Sequence, residues 1–178
     1  MKNTTETVLW AGSIMRYHNR PTAQKQTVGE HTWRVMVIYT EMYGMPRSPV
    51  YFYILHHDVA EIVTGDVPFI VKRRYPTVKK LLSELEDEIN YNLFTSPPAL
   101  TQQELYQIKV ADLLEMLFFA IEDVNMGCQY SVDIIENILE ALEHNGQARE
   151  YLESKGYQGA INRILSRGKD QDTRPDIR

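Results

Sequence analysis

The sequence predicts an all-α fold, a helical bundle forming a single domain. Three observations predict it. Apolar residues recur at 3.6-residue spacing through most of the chain, no run alternates at period two, and capping and breaking residues fall at helix-length intervals. A length of 178 residues suits one domain, placed at residues 1–166, with a polar tail over 167–178. Hydrophobic residues at 43% and charged residues at 24% place the chain with soluble globular proteins and not with disordered ones. No apolar run reaches the length of a membrane span, and Met1-Lys2-Asn3-Thr4-Thr5-Glu6 lacks the apolar core of a signal peptide, so the expected location is the cytoplasm. The single cysteine, Cys128, has no partner for an internal disulfide and reads as a small buried hydrophobe. A net charge of −5 argues against a nucleic-acid binder, yet a metal or a few local cations would still hold a small anion.

A first helix is expected over residues 6–17, followed by a polar loop over 19–26. Thr27 stands three residues before Glu30, the spacing of a capping box, and opens a helix that Gly44 and Pro46 close. In that helix His31, Val35, Ile38 and Met42 share a face. Ser48-Pro49 opens the next helix as N-cap and first residue, and Gly65 stops it. Read as one continuous helix, it puts Val50, Ile54, His57, Asp58 and Glu61 on one inward face. Asp66-Val67-Pro68 is a turn, Lys72-Arg73-Arg74 a basic patch, and residues 77–94 a charged amphipathic helix. Thr95-Ser96-Pro97-Pro98 breaks the chain. A long helix over 101–124 carries Asp112 on the stripe of Ile108 and Phe119. Shorter helices are expected over 131–143, 147–153 and 160–165.

The chemistry concentrates in His56-His57-Asp58-Val59-Ala60-Glu61. A buried carboxylate without a partner costs several kcal/mol, so inward acids beside an inward histidine need a counter-charge, and a divalent cation supplies one economically. His31 and Asp112 turn inward from two other helices. Two imidazoles and two carboxylates suit a zinc-, cobalt-, manganese- or magnesium-type ion with open positions for water. Such an ion lowers the pKa of its bound water and generates a nucleophile near neutral pH. Without further information, hydrogen-bonded core residues explain the same pattern about as well.

The ordered set His31, His57-Asp58, Asp112 resembles the HD-domain superfamily of helical metal phosphohydrolases. Arg16-Tyr17, Val28-Gly29-Glu30-His31, His57-Asp58-Val59-Ala60-Glu61 and Thr64-Gly65-Asp66-Val67-Pro68 are similar to the bacterial 5′-deoxynucleotidases of that superfamily and to the phage dATP triphosphohydrolases. The resemblance covers residues 8–124. It implies that His31, His57, Asp58 and Asp112 hold the metal, and that Glu61 positions water or protonates the leaving oxygen, with Asp58 also acting in catalysis. It implies that Arg16 contacts phosphate, Tyr17 packs near the sugar, Asp66 bonds the sugar 3′-hydroxyl and Lys72 receives further phosphates. Tyr17 departs from the tryptophan usual in the bacterial enzymes. His56 reads as packing and Glu115 as a polar helix edge. The expected substrate is a small 2′-deoxynucleotide, cleaved to deoxynucleoside and triphosphate as in the phage enzymes or, as the alternative, to deoxynucleoside and phosphate. A non-catalytic nucleotide-binding module is the remaining alternative, disfavoured because every ligand is retained. A homo-oligomer is expected, working in the cytoplasm, or in the host's cytoplasm if the chain is phage-encoded.

Overall fold

The computed structural model describes residues 4–94 and 98–169. Among these residues the regular structure is helical apart from two strands of two residues each. They gather into two compact units. One lies within Met1–Pro21 and Lys25–Glu115, the other within Thr22–Gln24 and Met116–Arg178.

The first unit begins with α1 (Thr4–Ala11), β1 (Met15–Arg16), β2 (Gln26–Thr27) and α2 (Val28–Tyr43). The first helix is thus shorter than its apolar spacing suggested. Ser13 N donates to Trp10 O and Ile14 N to Ala11 O, tight bonds that end the helix. The chain then extends so that Met15 pairs with Thr27 and Arg16 with Gln26, antiparallel. Arg16 therefore lies on a strand, not a helix, and Tyr17 follows it in the left-handed region at φ 55°. The pairing is sealed by Gly29 N donating to Gly12 O at 3.0 Å. A Cβ on Gly29 would sit 3.0 Å from that same oxygen, so a side chain there would push the two segments apart by a few tenths of an ångström. Thr27 caps α2 as expected, its Oγ1 accepting from Glu30 N at 3.2 Å, and Gly44 at φ 81° ends the helix.

The helix expected from Ser48 to Thr64 is broken. It becomes α3 (Ser48–His56) and a one-turn α4 (Glu61–Thr64), joined by a turn through His57, Asp58, Val59 and Ala60. The physical reason is a run of tightened bonds. Val59 N donates to His56 O, Glu61 N to Asp58 O and Ile62 N to Val59 O, each spanning three residues instead of four. His57, Asp58 and Glu61 converge through this turn and not through a common helix stripe. Ser48 is the first helical residue and Arg47 the cap, one position earlier than expected. Gly65, at φ 68°, closes α4 with its N–H on Glu61 O.

After α4 come α5 (Phe69–Arg74), α6 (Pro76–Phe94) and α7 (Gln102–Asn125). The expected break at Thr95-Ser96-Pro97 lies outside the described residues. Thr101 and Glu104 form a reciprocal cap at the start of α7: Thr101 N donates to Glu104 Oε2 at 2.7 Å, and Glu104 N to Thr101 Oγ1 at 3.2 Å. Arg47 binds the same Glu104 carboxylate, pinning the start of α3 to the start of α7. In this unit α2 packs on α3, α5 on α6, and α1 and α6 on α4. Ala11, Val59 and Leu93 form a core cluster with Val8, Ile62, Ile89 and Phe94, so the turn carrying His57-Asp58 is held by an apolar residue on its inner side.

The second unit contains the rest of α7, a 3-10 turn at Gln129–Ser131, α8 (Val132–Ala141), α9 (Gly146–Ser154) and α10 (Tyr157–Lys169). Helix α10 packs on α8 and α9, and Phe118 stacks on Tyr157 with ring centroids 4.4 Å apart. Asp123 is fully buried and accepts from Ala23 N, Gln24 N and Ser131 Oγ, which ties the short polar loop down. Helix α10 extends three residues into the expected polar tail, and residues 170–178 lie outside the described residues. Among the described residues no helix is long and apolar enough to cross a membrane.

Candidate metal centre

Three elements of the first unit bring the expected ligands together. His31 comes from the first turn of α2, His57 and Asp58 from the turn between α3 and α4, and Asp112 from the middle of α7. One ligand atom each from His31, His57 and Asp112 lies within 4.8 Å of the others. Asp58 completes the group. Its Oδ2 is 3.5 Å from His31 Nε2 and its Oδ1 3.4 Å from His57 Nε2, while Asp112 Oδ1 is 3.3 Å from His31 Nε2.

Both imidazoles are oriented by their other nitrogen. His57 Nδ1 faces the carbonyl of Ile54 at 2.7 Å, a pure acceptor, so Nδ1 carries the proton. His31 Nδ1 faces Glu115 Oε2 at 2.5 Å and donates likewise. Each Nε2 then points into the centre, buried and in no hydrogen bond. Two orphaned imidazole nitrogens between two carboxylates are the donor set of a zinc- or cobalt-type ion, and manganese or magnesium would also use the acids. The residues present fit a divalent cation.

The electrostatics agree. Burial alone would push the Asp58 carboxyl up, but His57, Arg16 and His31 outweigh it and hold it below its usual range. Asp112 is likewise held well down, against burial, by Lys109 and His31. Both are therefore ionised and ready to bind a cation. Burial and the Arg16 charge push the His31 imidazolium toward deprotonation, yet the adjacent carboxylates of Asp112 and Glu115 prevail and raise its pKa to about 9. A cation entering the centre thus displaces a proton from His31.

Arg16, nearly buried, donates from Nη1 to Asp58 Oδ2 at 2.9 Å, and its buried Nε makes no hydrogen bond. The residue expected to contact phosphate is thereby anchored on an expected metal ligand. Its guanidinium also lies 5.7 Å from the centre of the Tyr17 ring. Asp66, 8% exposed, accepts from Tyr17 N at 2.8 Å, which holds Tyr17 in its left-handed conformation and keeps the carboxylate beside Arg16. Glu61 is 4% exposed, and its Oε2 is buried without a hydrogen bond. Burial, and then the charges of Asp58 and Asp66, push its pKa up to about 8, against the pull of Arg16 and Lys72. It therefore holds a proton at neutral pH. Lys72 Nζ is 3.4 Å from Glu86 Oε1, a half-exposed pair that draws it toward α6.

His56 behaves as its register implied: it stacks on Phe52 with ring centroids 4.2 Å apart and donates from Nδ1 to Phe52 O. Glu115 does not. It is no polar edge but fully buried, bonded by His31, Gln26 and Arg34. Its position three residues after Asp112 was the available signal. A pocket of about 670 Å³ opens between α3 and α6 beside His57, lined by Phe52, Tyr53, Asp87 and Tyr91 among others.

Comparison with known proteins bears on this geometry. Residues 11–153 match the family model for 5′-deoxynucleotidase YfbR-like proteins. Over 87 residues the chain is 37% identical to the dATP triphosphohydrolase of cyanophage S-2L, an alignment covering 46% of this chain and 49% of that protein. It thus spans about half the length of that curated relative. The solved structure of the cyanophage S-2L HD phosphohydrolase (DatZ), bound to dA and one catalytic Zn2+ ion, has the same fold. Its TM-score is 0.63 at 22% identity, covering 89% of this chain and 96% of that one.

Proposed function

The chain belongs to the 5′-deoxynucleotidase YfbR-like family, and on that premise we propose that it is a metal-dependent phosphohydrolase that releases deoxynucleosides from 2′-deoxynucleotides. The observation that carries this reading is the pair of orphaned Nε2 atoms between Asp58 and Asp112, with the protonated acid Glu61 beside them.

His31, His57, Asp58 and Asp112 hold a divalent ion, and zinc is favoured because the structural relative carries it. That ion supplies Lewis acidity toward the phosphate and lowers the pKa of a coordinated water. The rest is done by the chain's own groups. Arg16 offers its fork to the phosphate oxygens while Asp58 fixes its aim. Water attacks the α-phosphorus as the bond to the 5′-oxygen breaks, and the proton it loses passes to solvent, from which Glu61 is reprotonated after turnover. Glu61 gives its proton to that oxygen, so the deoxynucleoside leaves as a neutral alcohol. Tyr17 packs its ring against the sugar and Asp66 takes the 3′-hydroxyl. Lys72 balances part of the charge on any further phosphates. Positioning and electrostatics suffice, without a covalent enzyme intermediate.

The favoured substrate is dATP or a related deoxynucleoside triphosphate, as for the phage relative, giving triphosphate. The family description favours the second reading, a 5′-deoxynucleotidase on monophosphates. A panel of dNMPs, dNTPs, NMPs and NTPs, with phosphate and triphosphate released measured separately, decides between them. Stoichiometric triphosphate from dATP is the expected result, phosphate from dNMPs selects the alternative, and release from neither removes both. Such a substrate places the protein in the cytoplasm, or in a phage host's cytoplasm. Assembly of several copies goes with this reading. Trp33 and Val37 on α2 are 66% and 39% exposed, and Tyr51 and Leu55 on the adjoining α3 are 50% and 38% exposed, large apolar side chains that a second copy would cover. Light scattering is expected to give a mass above the 20.7 kDa of one chain; a monomer at that mass refutes it.

A further inference from the structure

Glu115 bonds three side chains and touches none of the reacting groups. Its Oε2 accepts from His31 Nδ1 at 2.5 Å, and its Oε1 accepts from Gln26 Nε2 at 2.8 Å and from Arg34 Nε at 2.9 Å. Both Glu115 and His31 are 0% exposed, so the bond between them has no competition from water. The partners come from three separate elements. Gln26 lies on β2, His31 and Arg34 on α2, and Glu115 on α7, one turn beyond Asp112. A buried carboxylate is costly unless its lone pairs are filled. Here they are filled by an imidazole, an amide and a guanidinium, which leaves little freedom to rotate.

We propose that Glu115 is a positioning residue of the metal centre: held by Gln26 and Arg34, it keeps the proton of His31 on Nδ1 and so directs a basic Nε2 at the cation. The inference rests on the metal-centre reading above and adds a residue to it. A carboxylate behind a ligating imidazole fixes the ring's tautomer and rotation and raises its basicity, and its loss typically weakens metal binding ~10–100-fold. His57 differs in this respect, since its Nδ1 is held by the neutral carbonyl of Ile54. The two histidines are therefore unequal ligands, with His31 the stronger donor. The arrangement also explains why Glu115 stands beside Asp112. One turn of α7 supplies both a direct ligand and the group that orients the ligand opposite.

The test is zinc affinity of metal-stripped Glu115→Gln, measured by competition with a chromophoric chelator. Glutamine keeps the size of the side chain and removes the charge. Affinity ~10–100-fold below wild type in a variant whose stripped form is folded by circular dichroism supports the proposal; equal affinity in the folded variant overturns it. If the variant does not fold, the zinc-loaded wild type still decides. Long-range nitrogen–proton correlation on labelled histidines should show His31 protonated at Nδ1, its proton shifted far downfield by the carboxylate. Protonation at Nε2, or an unshifted Nδ1 proton, contradicts the proposal. Wild type that binds no zinc removes the metal-centre reading itself and this inference with it. Wild type and variant that bind zinc equally remove only the role of Glu115.

Discussion

Glu61→Gln is expected to lower kcat by ~10²–10⁴-fold, the usual contribution of a placed general acid, while leaving zinc affinity near that of wild type. The residue is buried, it lies outside the proposed ligand set, and its Oε2 has no hydrogen bond. The pH profile gives the stricter test. Burial and then Asp58 raise the Glu61 pKa to about 8 in the metal-free centre. A bound cation favours the ionised form and draws that value down. The active form is the protonated one, so activity is full below the pKa and falls as pH rises through it. The predicted alkaline limb therefore lies at or below about pH 8 in wild type, and it disappears in Glu61→Gln. Were Glu61 a base, ionisation would create the active form, and wild-type activity would rise with pH over the same range.

Asp58→Asn is expected to abolish tight zinc binding and hydrolysis together. Asparagine retains a hydrogen-bond acceptor for Arg16 but no charge for the cation. The loss exceeds the ~10²–10³-fold that removal of a single transition-state contact costs, because a ligand and the group that aims Arg16 are changed at once. The fold is expected to weaken as well. The pair is mostly buried, with side-chain exposures of 7% and 17%, and the arginine loses its counter-charge. Breaking a buried pair by removing one partner costs about 3–5 kcal/mol; the charge is lost here but the hydrogen bond is kept, so the lower end or less applies. Thermal unfolding of the stripped protein reads that part separately from zinc affinity. A variant that binds zinc as wild type does contradicts the assignment of Asp58 as ligand.

Much of this centre was legible in the sequence. The inward positions of His31 and Asp112 follow from the apolar residues around them, and Thr27 and Gly65 mark real helix ends. What escaped sequence reading has physical reasons. The break after His56 is made by bonds three residues apart, and these leave the hydrophobic spacing of Ser48 to Thr64 intact, so periodicity could not reveal it. The strand at Met15–Arg16 is too short to show alternation and is created by pairing with Gln26–Thr27. Glu115 meets Gln26 across 89 residues and His31 across 84, partners that no local pattern connects to it. The bond of Asp66 to Tyr17 N is set by the left-handed turn at Tyr17 and not by the Asp-Val-Pro sequence.

The central claim, that four protein ligands hold a cation on which hydrolysis depends, is tested most directly by stripping the wild-type protein with chelator and titrating zinc back. Activity is followed on the deoxynucleotide that gives the highest rate. The account predicts negligible turnover when stripped and recovery that saturates at one zinc per chain, with Asp58→Asn failing to recover. Full turnover in the exhaustively stripped protein contradicts it.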